Sequence, residues 1–324
     1  MCDEMGDLNV DLHEDSVTVG PQEELQRFRV LLSTFNATGF LLNQIESVLG
    51  QRGVDIDLNI RDDGSTNGTL DLLRKISTDD SRVSYIGGSR LGAARSFLTM
   101  LSECSDDVGL VALCDQDDVW KDEKLARAAL WLSAVQGPAM YCSAVDIVGQ
   151  RLDKIGIHRT CVRGPSLENA LVQNIATGCT IVLNQSALRL FRTIPEHPIM
   201  HDSWIYAVMS ACGTVLYDPD TWVLYRQHET NTIGVATSRF RQWVGRIHRH
   251  AKMGRERVHT VQATELLELL GQEFTPSATA TVTRFVRAQA SASGRIVYAL
   301  TGPAFRQRRL DSIVYRILCA LGRI

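Results

Sequence analysis

Leu110-Val111-Ala112-Leu113-Cys114 runs without a break into Asp115-Gln116-Asp117-Asp118-Val119-Trp120. The first five residues are an unbroken apolar run, as in a strand buried on both faces of a parallel sheet. The next four carry three carboxylates. Where a buried strand ends, such acids repel one another unless a divalent cation or solvent offsets their charge. Hard oxygen donors in this number suit Mg2+ or Mn2+, commonly shared with substrate phosphates. The plainer reading is a solvated acidic turn.

Upstream, Phe28–Leu32 reads as a strand and Ser33-Thr34-Phe35-Asn36 as the turn after it. Leu41, Leu42, Ile45, Val48 and Leu49 recur at helical spacing, and Gly50 fits a stop. Ile56, Leu58 and Ile60 alternate like a strand, which ends in Asp62-Asp63-Gly64-Ser65. Leu70, Leu73 and Ile76 predict a short helix, with Ser65 or Thr66 as its candidate cap. Val83–Ile86 is a further strand, Ala93–Ser102 a helix, and another helix follows Trp120 to about Val135. Strands and helices thus alternate with short connections. That pattern predicts an α/β fold with a mostly parallel, helix-covered sheet. Ligands of such sheets bind where the strands end. Both acidic turns therefore fall on the expected binding edge, where Asp62 and Asp63 could also accept hydrogen bonds from a base or a ribose.

Downstream, Met140–Val148, Thr180–Asn184 and Val215–Tyr217 read as strands, and a helix is expected from about His201 to Ser210. Asp202 opens that helix, where the dipole favours an acid. It is either a cap or a carboxylate general base. His228 reads by itself as a surface or structural histidine. From about residue 236 the chain reads as helical. Phe240, Trp243, Val244, Ile247 and Ala251 make one stripe, and Leu310, Ile313, Val314, Ile317, Leu318, Leu321 and Ile324 make another, both among arginines.

Composition sets bounds on what this can be. With 324 residues, 44% hydrophobic content and a net charge of −3, the chain can bury a full core and is not a disordered protein. The near-neutral total conceals a split. Residues 236–324 hold 15 bases and 5 acids, leaving 19 bases and 32 acids in residues 1–235. The longest apolar run, Ile205–Tyr217, is too short to span a bilayer. Residues 1–24 carry eight acids and no Lys or Arg, the reverse of a secretory n-region. Eight scattered cysteines with no CxxC pair suit reduced thiols in the cytoplasm. No Gly-rich phosphate cradle of the GxxxxGK[ST] or GxGxxG type is present. Three regions follow: a loose acidic leader, 1–24; a catalytic domain, 25–235; and a basic helical accessory region, 236–324.

The order of motifs carries more than any one of them. Val30-Leu-Leu-Ser-Thr-Phe-Asn36, Arg61-Asp-Asp-Gly-Ser-Thr66, Asp115-Gln-Asp-Asp-Val-Trp120, His201-Asp-Ser-Trp204 and Tyr225-Arg-Gln-His-Glu-Thr-Asn231 succeed one another over about residues 28–235. This resembles family 2 glycosyltransferases of the GT-A fold, and the Asp-Gln-Asp-Asp-Val-Trp string looks most like their rhamnosyltransferase-type members. The resemblance implies a nucleotide-diphosphate sugar donor, dTDP- or UDP-linked, with rhamnose from dTDP-rhamnose as the first expectation. It implies Ser33, Phe35, Asp62 and Asp63 at the base and ribose, Arg95 at the diphosphate, and Asp115-Gln116-Asp117 as the DXD element. Asp117 would contact Mg2+ or Mn2+, with Asp115 beside it and His228 as a helper. Asp202 would be the base, with His201 standing where many relatives have Glu. Ser96 follows Arg95 where Asn is usual. The implied acceptor is a glycan or lipid-linked precursor of the cell surface, at the inner face of the membrane.

The basic tail could then dock on anionic lipid, or its stripes could pack on the body or on a second subunit. Nucleic acid is not an expected partner, because aromatics are sparse in the tail and the body is acidic. Two rival readings stand at this point. Asp115-x-Asp117-x-Val119 also fits the nucleophile motif of haloacid-dehalogenase-like phosphatases. The chain could also be a non-catalytic nucleotide-sugar or membrane-binding module.

Overall fold

The computed structural model describes residues 25–37, 39–105, 108–227 and 257–324. The acidic leader, His228 and the stripe from Phe240 to Ala251 lie outside the described residues.

The alternating pattern folds as expected. Strand β1 (Gln26–Thr34) leads through α1 (Leu41–Leu49) to β2 (Val54–Asp62), then through α2 (Thr69–Asp79) to β3 (Val83–Gly87). Helix α3 (Ala93–Ser102) brings the chain back to β4 (Leu110–Cys114). β2 and β4 flank β1, both parallel to it, with Thr34 level with Asp62 and Leu32 level with Cys114. The chain therefore reverses its winding between β1 and β4. That switch point opens a crevice at the carboxyl ends of the strands. The turns after β1, β2 and β4 are the three polar turns singled out above.

The remaining strands complete a mixed sheet. β5 (Val119–Trp120), α4 (Lys124–Ser133), β6 (Ala139–Val148), β7 (Lys154–His158), α5 (Leu167–Ala170), β8 (Val182–Leu183), α6 (Gln185–Leu188), α7 (His201–Cys212) and β9 (Thr214–Arg226) follow in order. The sheet runs β3-β2-β1-β4-β8-β6-β9-β5, with β7 beside β6. β8 is antiparallel to both of its neighbours, and β5 is antiparallel to β9. Within the stretch read as a Thr180–Asn184 strand, only Val182 and Leu183 pair, because a 3-10 turn occupies Gly178–Thr180. The cap expected at Ser65 or Thr66 is not made. α2 starts after Gly68, and the Ser65 hydroxyl is bound to Asp62 instead.

Alternation along the strands divides the core. Val30 and Leu32 face one apolar layer with α1, α2 and α4, while Leu31 faces the other with α3 and α7. Phe28 is fully buried in the first layer. Phe28→Ala should lower unfolding stability by about 3–5 kcal/mol, read from the denaturant midpoint.

The second layer also takes in the C-terminal helices α8 (Val258–Leu270), α9 (Pro276–Gln289), α10 (Ala292–Thr301) and α11 (Arg309–Ala320). Leu266, Val282, Phe285 and Tyr315 join Trp204 and Ile205 of α7 in one continuous core. The described part of the accessory region is thus packed on the body. Among the described residues no helix is long and apolar enough to cross a membrane.

Candidate active site

The crevice at the switch point is a cleft of about 740 Å³, a volume that suits a nucleotide sugar. Ser33, Phe35, Asp63, Asp115, Asp117 and Asp202 all line it. Residues separated by up to 169 positions in the sequence are brought to one wall-and-floor arrangement by the strand order.

The end of β1 is tied to the end of β4 through Gln116. Its Oε1 accepts from Thr34 Oγ1 at 2.7 Å and from the Phe35 amide at 3.0 Å. The Ser33 hydroxyl donates to Ser96 Oγ at 2.7 Å, joining β1 to α3. Ser96 is fully buried, so the small hydroxyl at this position is part of the packing beneath the cleft.

The two acids after β2 have different tasks. Asp63 is on the cleft wall. Its carboxylate accepts from Arg61 and from the Leu91 and Gly92 amides at 2.8 and 2.7 Å. These bonds pin the 89–92 loop, which presents Arg90 over the Phe35 ring at 4.2 Å from its centroid. Asp62 does not line the cleft. It is fully buried, and it accepts from the Gly64 and Ser65 amides and the Ser65 hydroxyl. It shapes the turn behind the cleft wall, where the expectation had placed it against the base or ribose. Arg95, expected at the diphosphate, also lies off the cleft lining. It is exposed, its guanidinium donates to the Glu196 carbonyl at 2.7 Å, and the cationic side chain on the cleft is Arg90.

The acidic cluster is layered. Asp115 and Asp117 face the cleft, while Asp118 is fully buried behind them. Asp118 Oδ1 accepts from the Arg226 amide at 3.0 Å, and Arg226 Nε donates to the Asp117 carbonyl at 2.9 Å. The end of β9 is thereby clamped onto the acidic turn. Burial, then repulsion from neighbouring acids, pushes the carboxyls of Asp115 and Asp118 above the usual range. Lys124 lies beneath, fully buried, with Nζ 3.4 Å from the centre of the Trp120 ring. Burial pulls its pKa down to about 8.

A divalent cation fits beside this cluster: Asp115 and Asp117 present hard oxygen donors to the cleft, and the buried Asp118 adds negative charge behind them. Carboxyl oxygens of Asp115 and Asp118 lie within 4.8 Å of each other and of Cys179 Sγ, and the buried Asp118 Oδ2 has no hydrogen-bond partner. Such an orphaned oxygen costs free energy unless charge is supplied nearby. Burial pushes the Cys179 thiol up. Hard oxygen donors then point to Mg2+ or Mn2+.

Asp202 sits in the first turn of α7, half-buried, facing the cleft. The Ser203 amide donates to its Oδ1 at 2.7 Å. Burial raises its pKa to about 6, opposed by hydrogen bonds from the Ser203 amide and the Asn174 side chain. His201 stacks on Phe97 with ring centroids 4.2 Å apart, and burial lowers its pKa to about 3, so it is neutral. The imidazole packs over Gly178, where a Cβ would stand 2.6 Å from Nε2, so a larger residue there would have to displace the ring.

The loop before α7 is held from the accessory region. Glu265 on α8 accepts from the Glu196 and His197 amides, each at 3.0 Å. Gln262 on the same helix reaches Ser203 Oγ at 3.4 Å. Neither contact was visible in the sequence, because nothing local links residue 262 or 265 to residue 197. Arg90, Asn174 and Arg226 were likewise missed; only Arg226 carried a signal, as part of the Tyr225-Arg-Gln-His228 motif.

Residues 29–189 match the family model of glycosyl transferase family 2. This stretch is a family 2 glycosyltransferase domain. Its sequence relatives agree: the chain is 24% identical over 219 residues to the dTDP-rhamnosyl transferase RfbG of Shigella flexneri, spanning 64% of this chain and 75% of that one. Among solved structures it is similar to S. aureus TarS 1-349 in complex with UDP-GlcNAc, with a TM-score of 0.56, 14% identity, and coverage of 85% and 76%. It is also similar to the mannosyltransferase PcManGT of Pyrobaculum calidifontis in complex with GDP-Man and Mn2+. There the TM-score is 0.51, the identity 18%, and the coverage 93% of this chain and 88% of that one. The glycosyltransferase fold is GT-A, as the motif order implied. The phosphatase and non-catalytic readings fall with this assignment.

Proposed function

We propose that the protein is an inverting, metal-assisted glycosyltransferase that moves rhamnose from dTDP-rhamnose to a hydroxyl of a cell-surface glycan precursor in the cytoplasm. The observation that carries the inverting mechanism is the meeting of Asp202, Asp115 and Asp117 in one cleft with Ser33, Phe35 and Asp63. The choice of rhamnose is supported by the similarity to the Shigella rhamnosyl transferase and by the Asp-Gln-Asp-Asp-Val-Trp string.

In this reading the base lies beside the Phe35–Arg90 pair, and Ser33 and Asp63 position the nucleoside. Asp117 and Asp115 would hold Mg2+ or Mn2+, with His228, outside the described residues, as a further ligand or a diphosphate contact. When bound, the cation neutralises the diphosphate as it becomes the leaving group. Asp202 accepts the acceptor hydroxyl proton while that oxygen attacks the anomeric carbon from the face opposite the diphosphate. One displacement inverts the anomeric configuration. The clamps through Gln116, Arg226 and Glu265 hold the reacting groups in place, so positioning contributes much of the rate.

A base must be ionised to act. With the Asp202 pKa raised to about 6, kcat/KM should fall about tenfold per pH unit below that value and level off above it. A flat profile between pH 4.5 and 8 would contradict the assignment of Asp202. The donor is tested by nucleoside diphosphate release from a panel of dTDP-rhamnose, UDP-GlcNAc and GDP-mannose. Release should be fastest from dTDP-rhamnose, and faster turnover of another donor would overturn the sugar assignment.

A further inference from the structure

Two adjacent C-terminal helices turn aliphatic faces outward. On α11, Leu310, Ile313, Val314 and Ile317 are exposed, followed by Leu321, while Tyr315 and Cys319 point into the core. On α10, Ile296, Val297 and Leu300 are exposed, with Tyr298 and Ala299 inward. Leu300 and Leu310 are each 76% exposed. The helical stripe ending at Ile324 would ordinarily face a core; most of it does the opposite here. Arg316 holds the two helices together by donating to the Ala299 and Gly302 carbonyls. Exposed aliphatic side chains gathered in this way mark an interaction surface.

The charge around that surface selects the partner. Residues 274–324 hold eight arginines and one acid, Asp311. Arg308, Arg309 and Arg323 are exposed at the ends of α11. A groove between α9 and α10 is lined by Arg284, Arg287, Ser291 and Ser293, and the exposed Val297 forms part of its wall. Exposed aliphatic and cationic side chains thus occur together on these helices, the combination that suits a headgroup layer.

We propose that the outward faces of α10 and α11, with the arginines around them, seat the protein on an anionic lipid bilayer. A second copy of the chain is a poor occupant. A two-fold interface would set the same arginine-rich rim against itself. Residues 228–256 hold six bases and two acids, so their net charge has the same sign as that of the face. Anionic lipid offers both an apolar layer for the aliphatic side chains and the opposite charge for the arginines, each worth about fivefold in binding near such a surface.

The test is co-sedimentation of the full chain with phosphatidylcholine vesicles, with and without phosphatidylglycerol. Wild type should bind only the anionic vesicles, and added salt should weaken the binding. Ile313→Glu/Ile317→Glu changes two exposed positions. Its thermal melt and donor turnover should match wild type, while its affinity for vesicles falls at least about tenfold. Phe240→Ser/Trp243→Ser should bind as wild type does. Full binding by the Ile313/Ile317 variant overturns the proposal, as does complete loss in the Phe240/Trp243 variant. So does a concentration-dependent dimer that the Ile313/Ile317 variant dissociates. Vesicle binding and the thermal melt do not depend on the donor sugar, so a wrong donor leaves this result intact.

Discussion

Asp202→Asn should reduce turnover by about 10²–10⁴-fold while leaving donor affinity unchanged. Asparagine preserves the shape of the side chain and an Oδ1 that can still accept from the Ser203 amide, so α7 keeps its first turn. What it loses is the ability to take a proton. The loss therefore falls on kcat, and nucleoside diphosphate binding, read by calorimetry, stays as in wild type. Stability should move the other way. A carboxyl whose pKa burial has raised to about 6 is disfavoured in its charged form at neutral pH. The amide removes that penalty, so the variant should melt no lower than wild type at pH 7. A variant that turns over at the wild-type rate would remove Asp202 from the role of base. A variant that loses both turnover and donor binding would mark it as a structural carboxylate.

Asp117→Ala should lower divalent-dependent turnover by about 10²–10³-fold and weaken Mn2+-dependent binding of the nucleoside diphosphate. Wild-type turnover should vanish in EDTA and return with Mg2+ or Mn2+. The contrast with Asp118 is informative. Asp118 faces the core and accepts from the Arg226 amide, so Asp118→Asn should act through the clamp on β9, reducing stability as well as rate. Asp117 faces the cleft, and its replacement should leave the melting temperature within about 2 °C of wild type. Metal-independent turnover by wild type would contradict the role given to Asp117.

Much of this arrangement is legible along the chain. The apolar run Leu110–Cys114, the alternation in Val54–Asp62 and the helical spacing of Leu41 to Leu49 are local patterns, each set by which side chains one element must bury. The polar turns that follow β1, β2 and β4 must lie at one edge once the strands are parallel. Hence Ser33, Phe35, Asp63, Asp115, Asp117 and Asp202 meet as expected. Asp62 and Arg95 lie off the cleft lining for a physical reason. One residue along a turn reverses whether a side chain faces the ligand or the protein, and hydrogen bonds to the Gly64 and Ser65 amides decide it for Asp62. For Arg95 the position on α3 is right, but its guanidinium reaches the Glu196 carbonyl, and Arg90 takes the place on the cleft.

Sequence by itself determined the order of elements, the acids at the strand ends and the division into an acidic body and a basic tail, because hydrophobic period, turn chemistry and charge are properties of neighbouring residues. Tertiary structure alone decided that Asp118 lies behind Asp117, that Glu265 of the tail braces the loop before Asp202, and that the stripe from Leu310 to Leu321 faces outward. Each of these depends on which distant surface an element packs against. That choice is made by the burial of the whole core, and no local pattern contains it.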